Sequence, residues 1–113
     1  MKNIRINEVL SPLEMDVLKT LWHSKKLRVR QIFDVVRKKR KVALSSVAVI
    51  CDRLYKRGIV QRAAEKARGG VRYVYKASEN KSGFEKSFID KVVNSLIDSF
   101  GTTATAYFHE RFK

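Results

Sequence analysis

The sequence has only one cysteine, Cys51, and one proline, Pro12, among its 113 residues. A single cysteine excludes an intrachain disulfide, a zinc site built from several thiolates and a Cys-x-x-Cys redox pair. With one proline and no repeats or low-complexity segments, the chain also lacks the composition of a long linker. Its length therefore predicts one compact domain that carries, at most, a short appendage.

Long apolar runs are absent as well. A membrane-spanning helix needs about 18 or more consecutive apolar residues, and no such stretch occurs. The first residues also lack the apolar run of a signal peptide, so we predict a cytoplasmic protein with no membrane partner. Hydrophobic residues make up 44% of the chain and charged residues 32%, which is the composition of a folded domain.

Patterns typical of catalytic or metal sites are not found in the sequence. Glu14 and Asp16 stand two positions apart on a predicted helix and face different ways, and no serine or cysteine has an identifiable base. His23 and His109 do not belong to a set of ligands with metal-site spacing. We therefore predict no enzymatic activity, no metal, no cofactor and no small-molecule substrate.

Acidic residues are scarce in one part of the chain only. The formal net charge is +14, and residues 78–113 contain equal numbers of both signs, so the whole excess lies in residues 1–77. Such an excess repels itself and favours a polyanionic partner, whereas the neutral, apolar end suits contact with protein. We predict two parts with different roles, residues 1–77 and residues 78–113.

Helical periodicity predicts three helices in the basic part. The first begins with a capping box, in which Ser11 caps the helix, Pro12 takes the first helical position and Glu14 returns the bond. The second ends in the basic run 37–41, and the third begins near Ser45. The apolar residues that face inward are Leu13, Val17, Leu18, Leu21 and Trp22, then Val29, Ile32, Phe33 and Val36, and finally Val47, Ile50, Cys51 and Leu54.

A period of two replaces the helical period after the third helix, which stops at Gly58. A strand over about residues 59–65 precedes a second strand, in which Val71, Tyr73 and Tyr75 share one face. A glycine turn at residues 68–70 joins them. We expect the tyrosine face to be buried. The alternative is that the tyrosines stack on single-stranded bases.

Three helices followed by a basic hairpin form the order of a winged helix-turn-helix, in which the third helix enters the major groove of DNA. A last helix carries an apolar stripe too broad for so small a chain to bury, and a second copy is the simplest cover. The predicted fold class is mainly α (α+β), with a winged-helix DNA-binding domain over residues 1–77 and a helical dimerisation segment over residues 78–113. The predicted dimer interface consists of Phe84, Phe88, Ile89, Val92, Val93, Leu96, Ile97 and Phe100.

Three stretches of the sequence resemble the penicillinase-repressor family of winged-helix regulators. They are residues 11–18 with Trp22, residues 47–60, and residues 73–75. The resemblance spans about residues 9–77. It implies a homodimer that binds a palindromic operator and blocks transcription, with C-terminal helices at the dimer interface. In departure from the antibiotic-responsive members, we expect a C-terminal region one helix shorter, and residues 101–113 show no clear match to the segment where those members are cleaved.

Two groups of residues are predicted to contact double-stranded DNA. Cations set affinity and register at the phosphates, whereas the exposed start of the third helix reads base edges. The predicted phosphate contacts are Arg28, Arg30, Lys39, Arg40, Lys41, Arg53, Lys56, Arg57 and Arg72. The predicted base contacts are Ser45, Ser46, Ala48 and Val49, whose apolar members favour thymine methyl groups and an A·T-rich site. Arg68 on its glycine turn is expected to enter a narrow minor groove.

Two functions fit this surface. The leading hypothesis is a sequence-specific homodimeric transcriptional repressor. The alternative is an architectural or DNA-packaging protein that binds duplex DNA with little sequence preference, which the small side chains at the start of the third helix also allow. Cys51 is predicted to be a core residue, and a redox switch is the alternative role for a lone thiol.

Overall fold

A computed structural model describes residues 10–113. Within this range the chain forms five helices and one small sheet, which confirms the predicted mainly α class. The elements in chain order are α1 (Pro12–His23), β1 (Leu27–Arg28), α2 (Val29–Val36), α3 (Leu44–Lys56), β2 (Val60–Ala67), β3 (Gly70–Ala77), α4 (Lys81–Phe100) and α5 (Thr102–Phe112).

The start of α1 has the predicted capping box. The Ser11 hydroxyl accepts a hydrogen bond from the Glu14 backbone N–H, and the Glu14 carboxylate accepts one from the Ser11 N–H, each at 3.1 Å. Pro12 occupies the first turn, where a missing N–H costs no helical hydrogen bond. These bonds satisfy two backbone N–H groups that otherwise have no hydrogen-bond partner at a helix end.

The core of the winged-helix unit lies between α1, α2, α3 and the sheet. Its fully buried apolar side chains are Val17, Leu18, Ile32, Val36, Val47, Cys51, Leu54 and Val60. The thiol of Cys51 is buried, and burial raises the pKa of this group to about 12, because a thiolate is poorly solvated there. Trp22, which periodicity placed with the buried residues, is only half-buried.

The three strands form an antiparallel sheet in the order β1-β3-β2. Strand β1, whose Leu27 pairs with Tyr75, was not predicted, since two residues are too short to show a period. The hairpin turns at Gly69 and Gly70, whose φ angles of 85° and 143° favour glycine. The prediction of one buried face is wrong beyond Tyr75: Tyr73 is 44% exposed and Val71 68%, because the hairpin extends past the helices that cover its base.

The chain divides into two compact units, one over residues 10–82 and one that includes residues 83–113. Two hydrogen bonds hold the segment after β3 against the rest of the first unit. The Ser78 hydroxyl donates to the Gly58 carbonyl at 2.9 Å, and the Trp22 indole N–H donates to the Glu79 carbonyl at 3.2 Å. The division therefore falls beyond Ala77 and inside α4.

The second unit contains most of α4 and all of α5. No residue of α4 is buried, and Ile89, Ile97 and Phe100 are 58%, 36% and 41% exposed. Helix α5 was not predicted, because the threonines and alanines at residues 102–106 carry no apolar stripe that marks a helix. Among the described residues, no helix has the length and apolar content required to cross a membrane.

Candidate nucleic-acid interface

The outer face of α3 carries the residues predicted to read bases. Burial of Val47 and Leu54 on one side of the helix turns the other side to solvent. Ser45, Ser46 and Val49 are exposed there, and Val49 is 50% accessible. The remaining predicted base contact, Ala48, and its neighbour Asp52 are half-buried.

The N-terminal end of α3 is suited to an anion. The first turn contains no acidic residue, and Ala43 at the cap position supplies no side-chain hydrogen bond. The positive end of the helix dipole and the first backbone N–H groups are therefore not neutralised by a side chain. A phosphate group at this end would receive hydrogen bonds that the helix itself does not use.

Four of the predicted phosphate contacts already pair with carboxylates. Their bridges are Arg40 with Asp16 at 2.8 Å, Lys56 with Asp52 at 3.0 Å, Arg57 with Glu14 at 3.3 Å, and Arg72 with Glu65 at 3.1 Å. The Arg57 bridge is the most buried of these, with the arginine side chain 29% exposed and the glutamate 12%. It joins the end of α3 to the first turn of α1, which gives Arg57 a structural role.

The other predicted cations have no ion pair within residues 10–113. They are Arg28, Arg30, Lys39, Lys41, Arg53 and Arg68, and all except the half-buried Arg28 are exposed. Arg28 instead lies 3.4 Å from the side-chain oxygen of Gln31. Arg68 stands next to the glycines at the tip of the hairpin. These cations come from β1, α2, the α2–α3 turn, α3 and the hairpin tip.

Sequence reasoning missed the functional candidate Arg62, on β2. Its guanidinium lies 4.0 Å from the ring centroid of Tyr55 on α3 and 4.2 Å from that of Tyr73 on β3. It also forms an ion pair with Asp52 of α3 at 3.1 Å. Such stacking of a cation on two aromatic faces holds the hairpin against α3. We call Arg62, Tyr55, Tyr73 and Asp52 the wing clamp.

Asp52 serves two cations at once. It accepts from Lys56 one turn along α3 and from Arg62 on β2. The hydrogen bond from Lys56, followed by the charge of that lysine and the contacts with Arg62, holds the pKa of Asp52 below its usual value. The carboxylate therefore stays ionised and keeps both cations in place at neutral pH.

The wing clamp also affects the alternative prediction that Tyr73 and Tyr75 stack on single-stranded bases. One ring face of Tyr73 is covered by the Arg62 guanidinium, and Tyr75 is buried.

A signal for the wing clamp was present in the sequence, since Arg62 and Tyr73 fall on facing strands of the predicted hairpin. Tyr55 could not be added to the set, because its position depends on how α3 packs on the sheet.

The His, Cys, Asp and Glu side chains of residues 10–113 are the possible metal ligands of the described part of the chain. No group of three or more His, Cys, Asp or Glu side chains there is arranged to hold a metal ion. His23 and His109 are both exposed, and Cys51 lies in the core with its pKa raised.

Comparison with known proteins gives one family and several related folds. The model of the penicillinase repressor family matches residues 10–111. This match extends through α5 and is longer than the resemblance read from the sequence. None of the curated proteins compared with the chain matches it.

Solved structures share the fold at low sequence identity. A possible transcriptional regulator from Methanosarcina mazei Go1 is 22% identical, with a TM-score of 0.66 over 87% of this chain and 79% of that one. The DNA-binding domain of the repressor BlaI is 22% identical, with a TM-score of 0.53 over 73% and 92%. A transcriptional regulator homologue from Pyrococcus horikoshii OT3 is 16% identical, with a TM-score of 0.57 over 86% and 91%. These likenesses show the winged-helix fold.

Replacing Arg62 with alanine tests the wing clamp. We expect backbone amides of β2, β3 and the last turn of α3 to exchange several-fold faster, because the hairpin loses its side-chain contact with the helix. Arg62→Lys, which keeps the charge without the planar face, should be intermediate. Lys66→Ala is the matched control, since it removes an exposed cation from the same strand. Equal exchange in Arg62→Ala and Lys66→Ala, measured by NMR, would contradict the clamp.

Proposed function

The chain belongs to the penicillinase repressor family and has the winged-helix fold of DNA-binding transcriptional regulators, and from this premise we propose that it is a homodimeric repressor that reads a palindromic operator. The observation that carries the proposal is the outer face of α3. This face exposes the hydroxyls of Ser45 and Ser46, the apolar side chain of Val49, and Arg53. Asp52, the one acidic residue of α3, forms ion pairs with Lys56 and Arg62.

Base recognition in this proposal comes from the first turns of α3. Ser45 and Ser46 donate to base edges or phosphates, and the methyl groups of Ala48 and Val49 pack on thymine. The operator is therefore rich in A and T. Such sequences have a narrow minor groove with a strongly negative potential, and Arg68 at the hairpin tip is the side chain that enters it.

Phosphate binding in this proposal is divided between two sets of cations. Those without a carboxylate partner, led by Lys41 and Arg53, release counterions when they contact phosphate. Those with a partner, such as Arg40 and Arg57, mainly hold α1 against α3 and the turn before it. This division refines the list of contacts that the sequence predicts.

Dimerisation in this proposal uses the apolar face of α4. That face includes the stacked pair Phe84 and Phe88, whose ring centroids lie 5.7 Å apart, and continues through Ile89, Ile97 and Phe100. An exposed apolar face of this length usually marks an interface. A two-fold dimer also matches the symmetry of a palindromic operator.

Selection of bound sequences from a random DNA pool tests the function as a whole. We expect an A·T-rich motif with two-fold symmetry and half-sites about one helical turn apart, bound about a thousandfold or more tighter than random duplex. Val49→Ala should relax the preference at one position in each half-site, whereas Val71→Ala, an exposed valine on the hairpin, should not. Enrichment of no motif, with affinity set by salt alone, would instead indicate an architectural protein.

The division between cations predicts opposite effects for two arginines. Arg53→Ala should reduce the slope of log affinity against log salt by about 0.9, since one phosphate contact is lost. Arg57→Ala should leave that slope unchanged and lower the free energy of unfolding by about 1 kcal/mol, because its partly buried bridge to Glu14 is lost. Fluorescence anisotropy across a salt series and urea unfolding measure the two effects. A reversed pattern would reject the division.

Charged substitutions on α4 test the dimer. Ile89→Glu combined with Phe100→Glu should give monomers, because both side chains are exposed in the single chain and a buried carboxylate in an interface is unfavourable. These monomers should bind the operator weakly, since each half-site is then occupied separately. Asn94→Glu, on the opposite face of α4, is the control. A monomeric unmodified chain by light scattering would contradict the proposal.

A further inference from the structure

A cleft of about 460 Å³ lies within the unit formed by residues 10–82. Its walls come from the last turns of α1, from Val35 on α2, from Lys39 in the turn after α2, and from Lys81, the first residue of α4. No residue of α3 or of the β2–β3 hairpin lines it. The cleft is therefore distinct from the surface proposed to read bases, and its volume is in the range of ligand clefts.

The charge of this cleft has one sign. Lys19, Lys39 and Lys81 line it together with His23, and no acidic residue is among the lining side chains. None of the three lysines forms an ion pair with any carboxylate in residues 10–113. This contrasts with Arg40 and other cations of the same unit, which do pair. Ammonium groups that share a cleft without a counter-charge repel one another and favour an anion between them.

The cleft also has an apolar side. The indole of Trp22 lines it, and its ring N–H donates to the carbonyl of Glu79, which fixes the position of the ring. Val35 is 40% exposed and faces the same space. A simple inorganic anion would make no apolar contact with these two surfaces, and a neutral ring would leave the ammonium groups without a counter-charge. The combination favours a ligand with both a ring and a charge.

We propose that this cleft binds a small aromatic carboxylate. The ring packs against Trp22 and Val35. The carboxylate lies among the ammonium groups of Lys19, Lys39 and Lys81, where charge-assisted hydrogen bonds form.

The indole N–H signal provides a direct readout, because Trp22 is the only tryptophan. Sodium benzoate is titrated into the full chain, without DNA and at fixed ionic strength, with benzamide and inorganic phosphate in parallel. We expect a saturable shift of the indole signal with benzoate. Its affinity should be at least about tenfold higher than that of benzamide, because hydrogen bonds to a charged group are about twice as strong as neutral ones. Phosphate should bind more weakly than benzoate.

Two variants separate a built site from general attraction to a basic protein. Lys81→Gln should weaken benzoate binding several-fold, whereas Lys86→Gln, which removes an exposed charge from the same helix outside the cleft, should not. Equal weakening by both variants, or a linear shift that never saturates, would overturn the site. Phosphate binding as tight as benzoate would overturn the aromatic part of the proposal.

The test is independent of the proposed DNA interface. Benzoate binding is measured without DNA, so it succeeds or fails whether or not the operator is found. Lys39 belongs to both the cleft and the predicted phosphate contacts. Saturating benzoate should therefore also weaken DNA binding, because the phosphate contact of Lys39 is lost. An unchanged DNA affinity would mean that Lys39 does not contact both benzoate and DNA.

Discussion

The burial of one side of α3 is the constraint on which the rest of the structure depends. Val47, Cys51 and Leu54 are completely enclosed, and substitutions of such tightly packed side chains are costly. With that side fixed, the rotation of α3 about its axis is fixed as well. The polar and apolar groups on the exposed side of α3 are thus set by the residues of its buried side.

Carboxylates are used in this protein mainly to hold cations that build the scaffold. Glu14 both closes the start of α1 and binds Arg57, and Asp52 holds Lys56 and Arg62. The few acids of the basic unit are thereby occupied within the fold. A count of net charge cannot show which cations of residues 10–113 are left without a carboxylate partner.

Much of the fold could be predicted because it is encoded by local patterns. The capping box at Ser11, the three apolar stripes and the glycine turn of the hairpin each depend on neighbouring residues. Strand β1 and the wing clamp could not be predicted in this way, since Leu27 and Tyr55 acquire their roles only through contacts with distant β-strand residues. Helix α5, which begins after Gly101, was missed because its first residues are small and show no period.

For the candidate site, the sequence identified candidate residues but not their ion pairs. Charge and position along the chain were enough to single out Arg53 and Arg57 alike, yet the structure gives only the second a carboxylate partner. The difference depends on the approach of α1 to the end of α3, which no spacing rule contains. The division of labour between residues 1–77 and 78–113 stays a prediction, since it concerns partners rather than folding.

The enclosed position of Cys51 has a practical consequence for work on this protein. A thiol with a pKa near 12 presents almost no thiolate at neutral pH, and thiol reagents react with the thiolate. We therefore expect Cys51 to react with such reagents far more slowly than an exposed cysteine does. A cysteine introduced at one exposed position will accept a fluorophore or spin label there, with no need to remove the natural one.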